Sequence, residues 1–502
     1  MKDISKYPDA HLRMFERRIP ASRDAVKSVH MIGICGTGMG SLAGLLKDAG
    51  YDVKGSDAAA YPPMSTRLMS MDIDVSEGFT EANLHPHPDL TIVGNACTPL
   101  HVEATYARDN DLVQMSMPEA VGYFLLHDRK PIVIAGTHGK TTTTGLVVHV
   151  LSELALDPGY LVGGVLQNSG TSYSIGHGNH FVIEGDEYDS AYFDKQPKFM
   201  HYRPFIAVVT SLEYDHVDIY DDFQDYVEAF ERFAQIVADD GYLILNCDDE
   251  HVLHLGASTT AKVVTYGFSS DADIRCVDLT GDGSHQSFVV KMPDDRKFSV
   301  ILPMNGKHNV MNALAAIAVA YAANQDPATV AASLKSFSGL KRRQEVVFES
   351  DNLTIIDDFA HHPTAVRETV AAIRQKYPEA RLTAVFEPRS NSSRRKVFEK
   401  PYIEAFALAD TTILSSPPFR HNDKKEDFMD VDVVVGGIRT QGKSAEAYED
   451  FESLFTALTS SLDTGDVVLV MSNGGFNGIH ERLIKYQQEP ETTIVDARRS
   501  TQ

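Results

Sequence analysis

Six residues, Gly136-Thr137-His138-Gly139-Lys140-Thr141, place two glycines, a lysine and a hydroxyl at a spacing suited to phosphate chemistry. Glycines let backbone N–H groups converge on an anion, a lysine reaches terminal phosphate oxygens, and a threonine hydroxyl can ligate Mg²⁺. The apolar run Pro131-Ile132-Val133-Ile134-Ala135 precedes the string, and Thr142-Thr143-Thr144 with Leu146-Val147-Val148 follows it. Buried strand, glycine loop, helix N-terminus is the order in which such a loop binds a nucleoside triphosphate. The common version has four residues between its first glycine and the Gly-Lys pair. Here Ile134 stands where that glycine would be, so the loop is a shorter one.

Other residues could complete the chemistry. Phe181-Val182-Ile183-Glu184 is a buried strand ending in a carboxylate, which suits Glu184 as a metal ligand beside Thr141. His216, after Asp215 at the next strand's end, could hold a second ion. Hard oxygen ligands favour Mg²⁺, and no Cys/His cluster supports zinc. Asn309 and Asn312 lie three apart at the start of an alanine-rich helix, so both amides can share one face and meet an adenine edge, or cap the helix. Asp357-Asp358-Phe359-Ala360-His361-His362-Pro363 joins a strand to a helix; its histidines suit either a metal or a substrate. Glu387-Pro388-Arg389-Ser390-Asn391 follows the next strand in the same way.

The elements that must position these groups alternate between strand and helix patterns. Val29-His30-Met31-Ile32 reads as a strand, Gly33 to Gly40 as a glycine-rich turn, and Leu42 to Ala49 as a helix closed by Gly50. The next strand ends at Gly55-Ser56-Asp57, giving a βαβ unit with an acidic residue about 20 positions on. That pattern suits a dinucleotide, but a diphosphate on another nucleoside would use the same helix N-terminus. The first sheet extends to about residue 127. A middle segment, 128–342, opens on the phosphate loop and includes an amphipathic helix over Phe223 to Val237. A third unit, 343–502, has strands at Thr354-Ile356, Leu382-Phe386, Thr411-Leu414 and Val467-Val470. Residues 1–28 read as a polar extension. The expected class is α/β, with largely parallel sheets and helices on both faces.

Composition narrows the partners. A net charge of −24 on 502 residues argues against nucleic acid, which needs a basic surface. A small polyanionic substrate then requires local basic clusters, present at Arg342-Arg343, at Arg389 with Arg394-Arg395-Lys396, and at Arg420 with Lys424-Lys425. No run approaches the roughly 18 apolar residues of a membrane span, and the start lacks a signal-peptide core. Cys35, Cys97, Cys247 and Cys276 are scattered, as reduced thiols of a cytosolic protein are.

Taken in order, Gly33 to Met39, Gly136 to Thr142, Glu184 to Asp189, Glu213 to Asp218, Gly306 to Ala313, Arg343, Asp358 to Thr364 and Arg389 resemble the blocks of the Mur ligases, ATP-dependent amide-forming enzymes of peptidoglycan synthesis. The resemblance implies three domains: a Rossmann-like UDP-sugar-binding domain over 29–127, a central P-loop-type ATPase domain and a C-terminal Rossmann-like domain. It implies a UDP-sugar held by Gly33, Gly36, Thr37, Gly38, Met39, Ser56, Asp57 and Asn95. ATP would be held by Gly136, Thr137, His138, Gly139, Lys140, Thr141, Thr142, His308, Asn309, Asn312, Arg343 and Asp358, and Mg²⁺ by Thr141, Glu184 and His216. Lys140, His362 and Arg389 would serve the reaction.

The blocks Glu387 to Asn391 and Val470 to His480 look like those of the branch that joins UDP-N-acetylmuramate to the murein tripeptide L-alanyl-γ-D-glutamyl-meso-diaminopimelate. The alternative is the branch that adds L-alanine, which differs in the amine acceptor. For a peptide acceptor the resemblance marks Arg389, Asn391, Arg420, Ser472 and Asn473.

Overall fold

The computed structural model describes residues 17–60, 64–215, 219–418 and 425–488. His216 and Arg420 lie outside them. The chain forms two compact units, and the first holds two of the three main sheets. Its N-terminal sheet has strands β1 (Ser28–Ile32), β2 (Asp52–Asp57), β3 (Asp74–Glu77), β4 (Leu90–Val93) and β5 (Gln114–Ser116), in the order β3-β2-β1-β4-β5. All the pairings are parallel. β1 and β4 are almost wholly buried, as strands covered on both faces are, which is why they read as apolar runs. The helix Thr37–Asp48 follows the glycine turn, with Gly36 at its N-cap.

A polar network is sealed inside this sheet. Glu103 is 0% exposed; it accepts from Ser56 Oγ at 2.5 Å and Asn83 Nδ2 at 2.7 Å, and its Oε2 lies 3.3 Å from His30 Nε2. Burial alone would raise the carboxyl's pKa, but the hydrogen bonds from His30, Ser56 and Asn83 outweigh it and hold the group below its ordinary value.

The second sheet has ten strands: β6 (Lys130–Ala135), β7 (Gly159–Leu161), β8 (Tyr173–Ser174), β9 (His180–Gly185), β12 (Ile206–Val209), β13 (Tyr242–Asn246), β14 (Lys262–Gly267), β15 (Ile274–Gly281), β16 (Gln286–Lys291) and β17 (Lys297–Leu302). A two-stranded hairpin, β10 (Asp189–Ala191) and β11 (Asp194–Pro197), lies outside it. The order is β17-β16-β15-β14-β13-β12-β6-β9-β7-β8, so β6 sits between β12 and β9. Both pairings are parallel, with Ile134 opposite Glu184 on one side and Val208 on the other. Helix Phe223–Gln235 is capped by the Asp222 carboxylate and buries Tyr226, Phe230 and Phe233, as its periodicity predicts. Strands β13 and β14 are absent from the sequence reading, and so is the extension over β15 to β17. Alternating burial, as in β16, leaves one face of these strands wet and breaks the apolar run that marks a parallel strand.

The second unit comprises Gly339 onward with Thr280–Gln286 and Pro303–Asn309. Its sheet contains β18 (Glu345–Glu349), β19 (Leu353–Asp358), β20 (Leu382–Phe386), β21 (Thr411–Ser415), β22 (Ser444–Tyr448) and β23 (Asp466–Met471), in the order β18-β19-β23-β20-β21-β22. Only β18 among these strands pairs antiparallel. The four inner strands match the expected ones, while the half-exposed edges β18 and β22 escaped the pattern. Asp358 pairs with Met471 and Phe386 pairs with the same residue, so the loops after β19, β20 and β23 leave one end of the sheet side by side.

Glu103→Ala removes one partner of a buried charged network, and the expected loss is about 3 kcal/mol of unfolding free energy in denaturant titration. A loss under 1 kcal/mol would show that the network is not structural.

Candidate active site

The loop after β6 is shaped by its neighbours. Gly139 takes φ +80 as the N-cap of helix Lys140–Glu153, and a Cβ there would lie 2.5 Å from Asn312 Oδ1. Only glycine meets both conditions. Thr143 Oγ1 donates to that same Asn312 oxygen at 3.1 Å, which ties the helix Lys307–Ala322 to the loop. The segment after β12 pins the other side. Thr137 N donates to Ser211 O at 2.9 Å, His138 N to Ser211 Oγ at 3.0 Å and Glu213 N to Thr137 Oγ1 at 2.9 Å. His138 Nε2 lies 3.1 Å from Glu213 Oε2. The loop is thus held rigid with its helix N-terminus directed outward from the strand end, as an anion cradle requires.

Lys140 is the only cation of that loop, and it is engaged. Its Nζ donates to Gly136 O at 2.6 Å and to Glu187 at 2.8 and 3.1 Å. Glu187 is 1% exposed and also accepts from Tyr226 at 3.3 Å. Burial would lower the Lys140 pKa, but the carboxylates of Glu187, Asp186 and Glu184 outweigh it and raise it, so the ammonium stays charged. Asp186 is held below its ordinary pKa against burial by Lys198, 3.1 Å away, and by Lys140.

Thr141 and Glu184 meet as the strand reading expected: Thr141 Oγ1 donates to Glu184 Oε2 at 3.0 Å, and Glu184 Oε1 accepts from Gly163 N at 2.6 Å. A hydroxyl and a carboxylate converging at the mouth of a phosphate loop are the hard oxygen donors that Mg²⁺ takes, so this pair fits the ion. Thr142 is buried at the helix start. Glu187 was missed in the sequence. The signal was available, because a lysine buried beside a strand end needs a carboxylate and Glu184-Gly185-Asp186-Glu187 supplies three.

In the N-terminal sheet, Gly36, Thr37 and Gly38 are exposed at a helix start and Asn95 is exposed after β4, while Met39 is buried. Asp57 accepts from Cys35 N and Ala58 N, both at 2.8 Å, and so shapes the Gly33–Gly36 turn. The Ser56 hydroxyl is spent on Glu103.

In the second unit, Asp358 accepts from Gln344 N at 2.8 Å and Ala360 N at 2.7 Å, stapling the segment before β18 to the loop after β19. The Arg343 guanidinium lies 5.0 Å from the Phe359 ring centre. His308 Nε2 is 3.1 Å from the Gln344 amide, and Asn309 Nδ2 donates to Asn305 O at 2.7 Å. His362 is buried and caps the helix Pro363–Lys376, its Nδ1 accepting from Thr364 N at 3.4 Å. Arg389, exposed, lies against Gly474, where a Cβ would come within 2.8 Å of its Cδ and Cζ. The adjacent Ser472 hydroxyl donates to Glu387 Oε2 at 2.5 Å, so Arg389, Ser472 and Asn473 share one loop cluster. Asn391 Oδ1 lies 3.4 Å from Arg394 Nη2. Arg394 is 2% exposed, donates to Pro418 O at 2.7 Å and lies over Phe428, so this member of the basic cluster is structural.

Asp357 is buried between Arg342 Nε and His480 Nε2, each 3.4 Å away. Burial pushes its carboxyl up to about 6, against the pull of Arg342 and with help from Asp358 and Glu345.

Known domain families match the chain in three consecutive segments. The Mur ligase family catalytic domain matches residues 28–129, the Mur ligase middle domain 134–320, and the Mur ligase glutamate ligase domain 342–474. A UDP-N-acetylmuramate–L-alanyl-γ-D-glutamyl-meso-2,6-diaminoheptandioate ligase of Escherichia coli (strain K12) is 36% identical over 463 residues, 91% of this chain and 97% of the relative. A UDP-N-acetylmuramate–L-alanine ligase of Desulforapulum autotrophicum is 31% identical over 458 residues, 91% of this chain and 98% of the relative. The crystal structure of a murein peptide ligase from Psychrobacter arcticus 273-4 superposes with a TM-score of 0.71 at 33% identity, covering 91% of this chain and 98% of that one.

Lys140→Ala is expected to weaken nucleoside triphosphate binding by about 10- to 100-fold in calorimetric titration, the worth of one charge-assisted bond. It also leaves the Glu187 carboxylate without its ammonium, so stability falls too. Adding Glu187→Gln should restore stability but not affinity; recovery of both would remove Lys140 from phosphate binding. Asp357 has a separate signature. Its folded pKa, about 6, lies above the ordinary 3.8, so it contributes stability in acid that is lost as pH rises from about 4 to about 6. Asp357→Asn should flatten that descent in denaturant midpoints measured across the range, and a parallel pair of pH curves would contradict the assignment.

Proposed function

The chain belongs to the Mur ligase family, and from that premise we propose that it joins UDP-N-acetylmuramate to the tripeptide L-alanyl-γ-D-glutamyl-meso-diaminopimelate, with cleavage of ATP to ADP and phosphate. The observation that carries this reading is the Lys140–Thr141–Glu184 constellation on the short phosphate loop, together with the likeness to the tripeptide ligase of Escherichia coli along nearly its whole length. That likeness exceeds the one to the L-alanine ligase, 36% against 31%. The setting would be salvage of cell-wall peptide in the cytoplasm, where ATP is at hand.

The chemistry follows from the reactants. A carboxylate is a poor acyl donor, so the muramate carboxylate attacks the γ-phosphorus of ATP and ADP leaves. The acyl phosphate is captured by the free amine of the tripeptide, and the tetrahedral adduct expels phosphate. The Lys140 ammonium, kept charged by its carboxylate neighbours, lies where negative charge spreads over the transferring group. N–H groups at the start of helix Lys140–Glu153 hold the phosphates. Thr141 and Glu184 are the residues that would hold Mg²⁺, which when bound neutralises phosphate charge.

The other assignments divide by element. The turn Gly33–Met39 receives the UDP diphosphate at the N-terminus of helix Thr37–Asp48, with Asp57 fixing the turn. Arg389, an exposed residue whose guanidinium lies against Gly474, pairs with a carboxylate of the acceptor. His362, fixed as a helix cap, orients the acceptor's amine end.

ADP release with UDP-N-acetylmuramate and ATP should depend on the tripeptide, and the product mass should equal the muramyl tripeptide conjugate. Equal or faster turnover with free L-alanine would replace the tripeptide with the amino acid as acceptor.

A further inference from the structure

Arg342 is half-buried, and its side chain organises the loop against which Arg389 lies. One guanidinium nitrogen, Nη2, donates to Ser472 O and to Gly474 O, both at 2.6 Å. The Nε lies 3.4 Å from Asp357 Oδ2, and the guanidinium carbon is 5.1 Å from the Phe359 ring centre. The backbone of Arg342 is fixed as well. It takes φ +60, its N–H donates to Glu345 Oε2 at 2.8 Å, and its carbonyl accepts from Phe359 N at 2.9 Å.

Two carbonyls two residues apart that converge on one nitrogen force the chain between them into an arch. Asn473 is at its crown, and the Gly474 N–H returns to Ser472 Oγ at 2.9 Å. The arch starts where β23 ends, with Ser472 N donating to Asp358 O at 3.1 Å. The Arg389 side chain approaches Gly474 so closely that any Cβ there would displace it. Arg342 therefore grips the arch through its carbonyls, and Arg389 rests on the same residue, Gly474. Without the bridging donor the two carbonyls must find water or each other's neighbours, and the surface under Arg389 moves.

We propose that Arg342 is a positioning residue for the acceptor subsite: it holds the Ser472–Gly474 arch in the shape that aims Arg389 at a carboxylate of the acceptor peptide. The inference rests on the acceptor reading given above and adds to it a residue that acts through the arch. Lysine cannot replace it, because a single ammonium on a flexible stem lacks the planar fork that serves both the carbonyls and Asp357.

The test is steady-state kinetics of Arg342→Lys with each substrate varied in turn. KM for the tripeptide should rise about 10- to 100-fold, as expected for an anchoring group displaced by about 1 Å, with kcat and the KM values for ATP and UDP-N-acetylmuramate within about threefold of wild type. Gly474→Ala disturbs the same contact from the other side and should give the same selective rise. Because both act through one arch, the double variant should be little worse than either single one. An unchanged tripeptide KM in Arg342→Lys, an equal rise for all three substrates, or multiplicative effects in the double variant would overturn the role of Arg342. A wild-type enzyme that ignores the tripeptide would instead overturn the functional reading and the inference with it.

Discussion

An ammonium held between the carbonyl of Gly136 and both oxygens of Glu187 is the interaction around which the Gly136–Thr141 loop and the strands beside it are arranged. A chain with a net charge of −24 that is to hold a triphosphate must concentrate positive potential at one point. In the proposed reading Lys140 and the N-terminus of a buried helix supply it, and Mg²⁺, which Thr141 and Glu184 would hold, would offset the neighbouring carboxylates. Carboxylates at the end of the adjacent strand outweigh burial and raise the lysine's pKa. The parallel pairing of β6 with β9, Ile134 opposite Glu184, brings those carboxylates to the loop. The fold and the charge state of Lys140 are thus a single requirement.

The second unit applies the same logic to a different group. Loops after β19, β20 and β23 emerge together because those strands are neighbours, and each contributes to one cluster. Asp358 staples backbone, Glu387 receives the Ser472 hydroxyl, and Gly474 makes room for Arg389. Basic residues close in sequence divide between roles: Arg394 is buried as a packing and hydrogen-bonding element, whereas Arg389 is exposed. Charge density along the sequence could not have separated them, since the division depends on which side of the β20 loop faces the core.

Much of this was legible beforehand, for identifiable reasons. The strand–glycine loop–helix unit was legible because strand, glycines and helix start are contiguous in sequence. Glu184 followed because a parallel strand ending in a carboxylate has few places to lie. The inner strands of the last sheet, with β1, β4, β6 and β9, were visible as apolar runs, whereas β13 and β14 inside the ten-stranded sheet were not read. Strands β15 to β17 and the edges β18 and β22 were not, because a half-wet strand alternates and resembles a loop. Side-chain partnerships across long sequence separations were also hidden. Nothing local indicates that Ser56 would spend its hydroxyl on Glu103, that Lys140 would choose Glu187, or that Arg342 would hold carbonyls 130 and 132 residues away.

In the proposed reaction a carboxylate is activated by phosphoryl transfer at the Gly136–Thr141 loop before the amide forms. This activation is tested most directly with UDP-N-acetylmuramate carrying ¹⁸O in both oxygens of its lactyl carboxylate, incubated with ATP, Mg²⁺ and the tripeptide. An acyl phosphate requires one labelled oxygen to leave with the phosphate and the other to remain in the new amide, and mass spectrometry of both products reads this. Label in one oxygen of the released phosphate is the predicted result. Unlabelled phosphate accompanying amide formation would contradict the account.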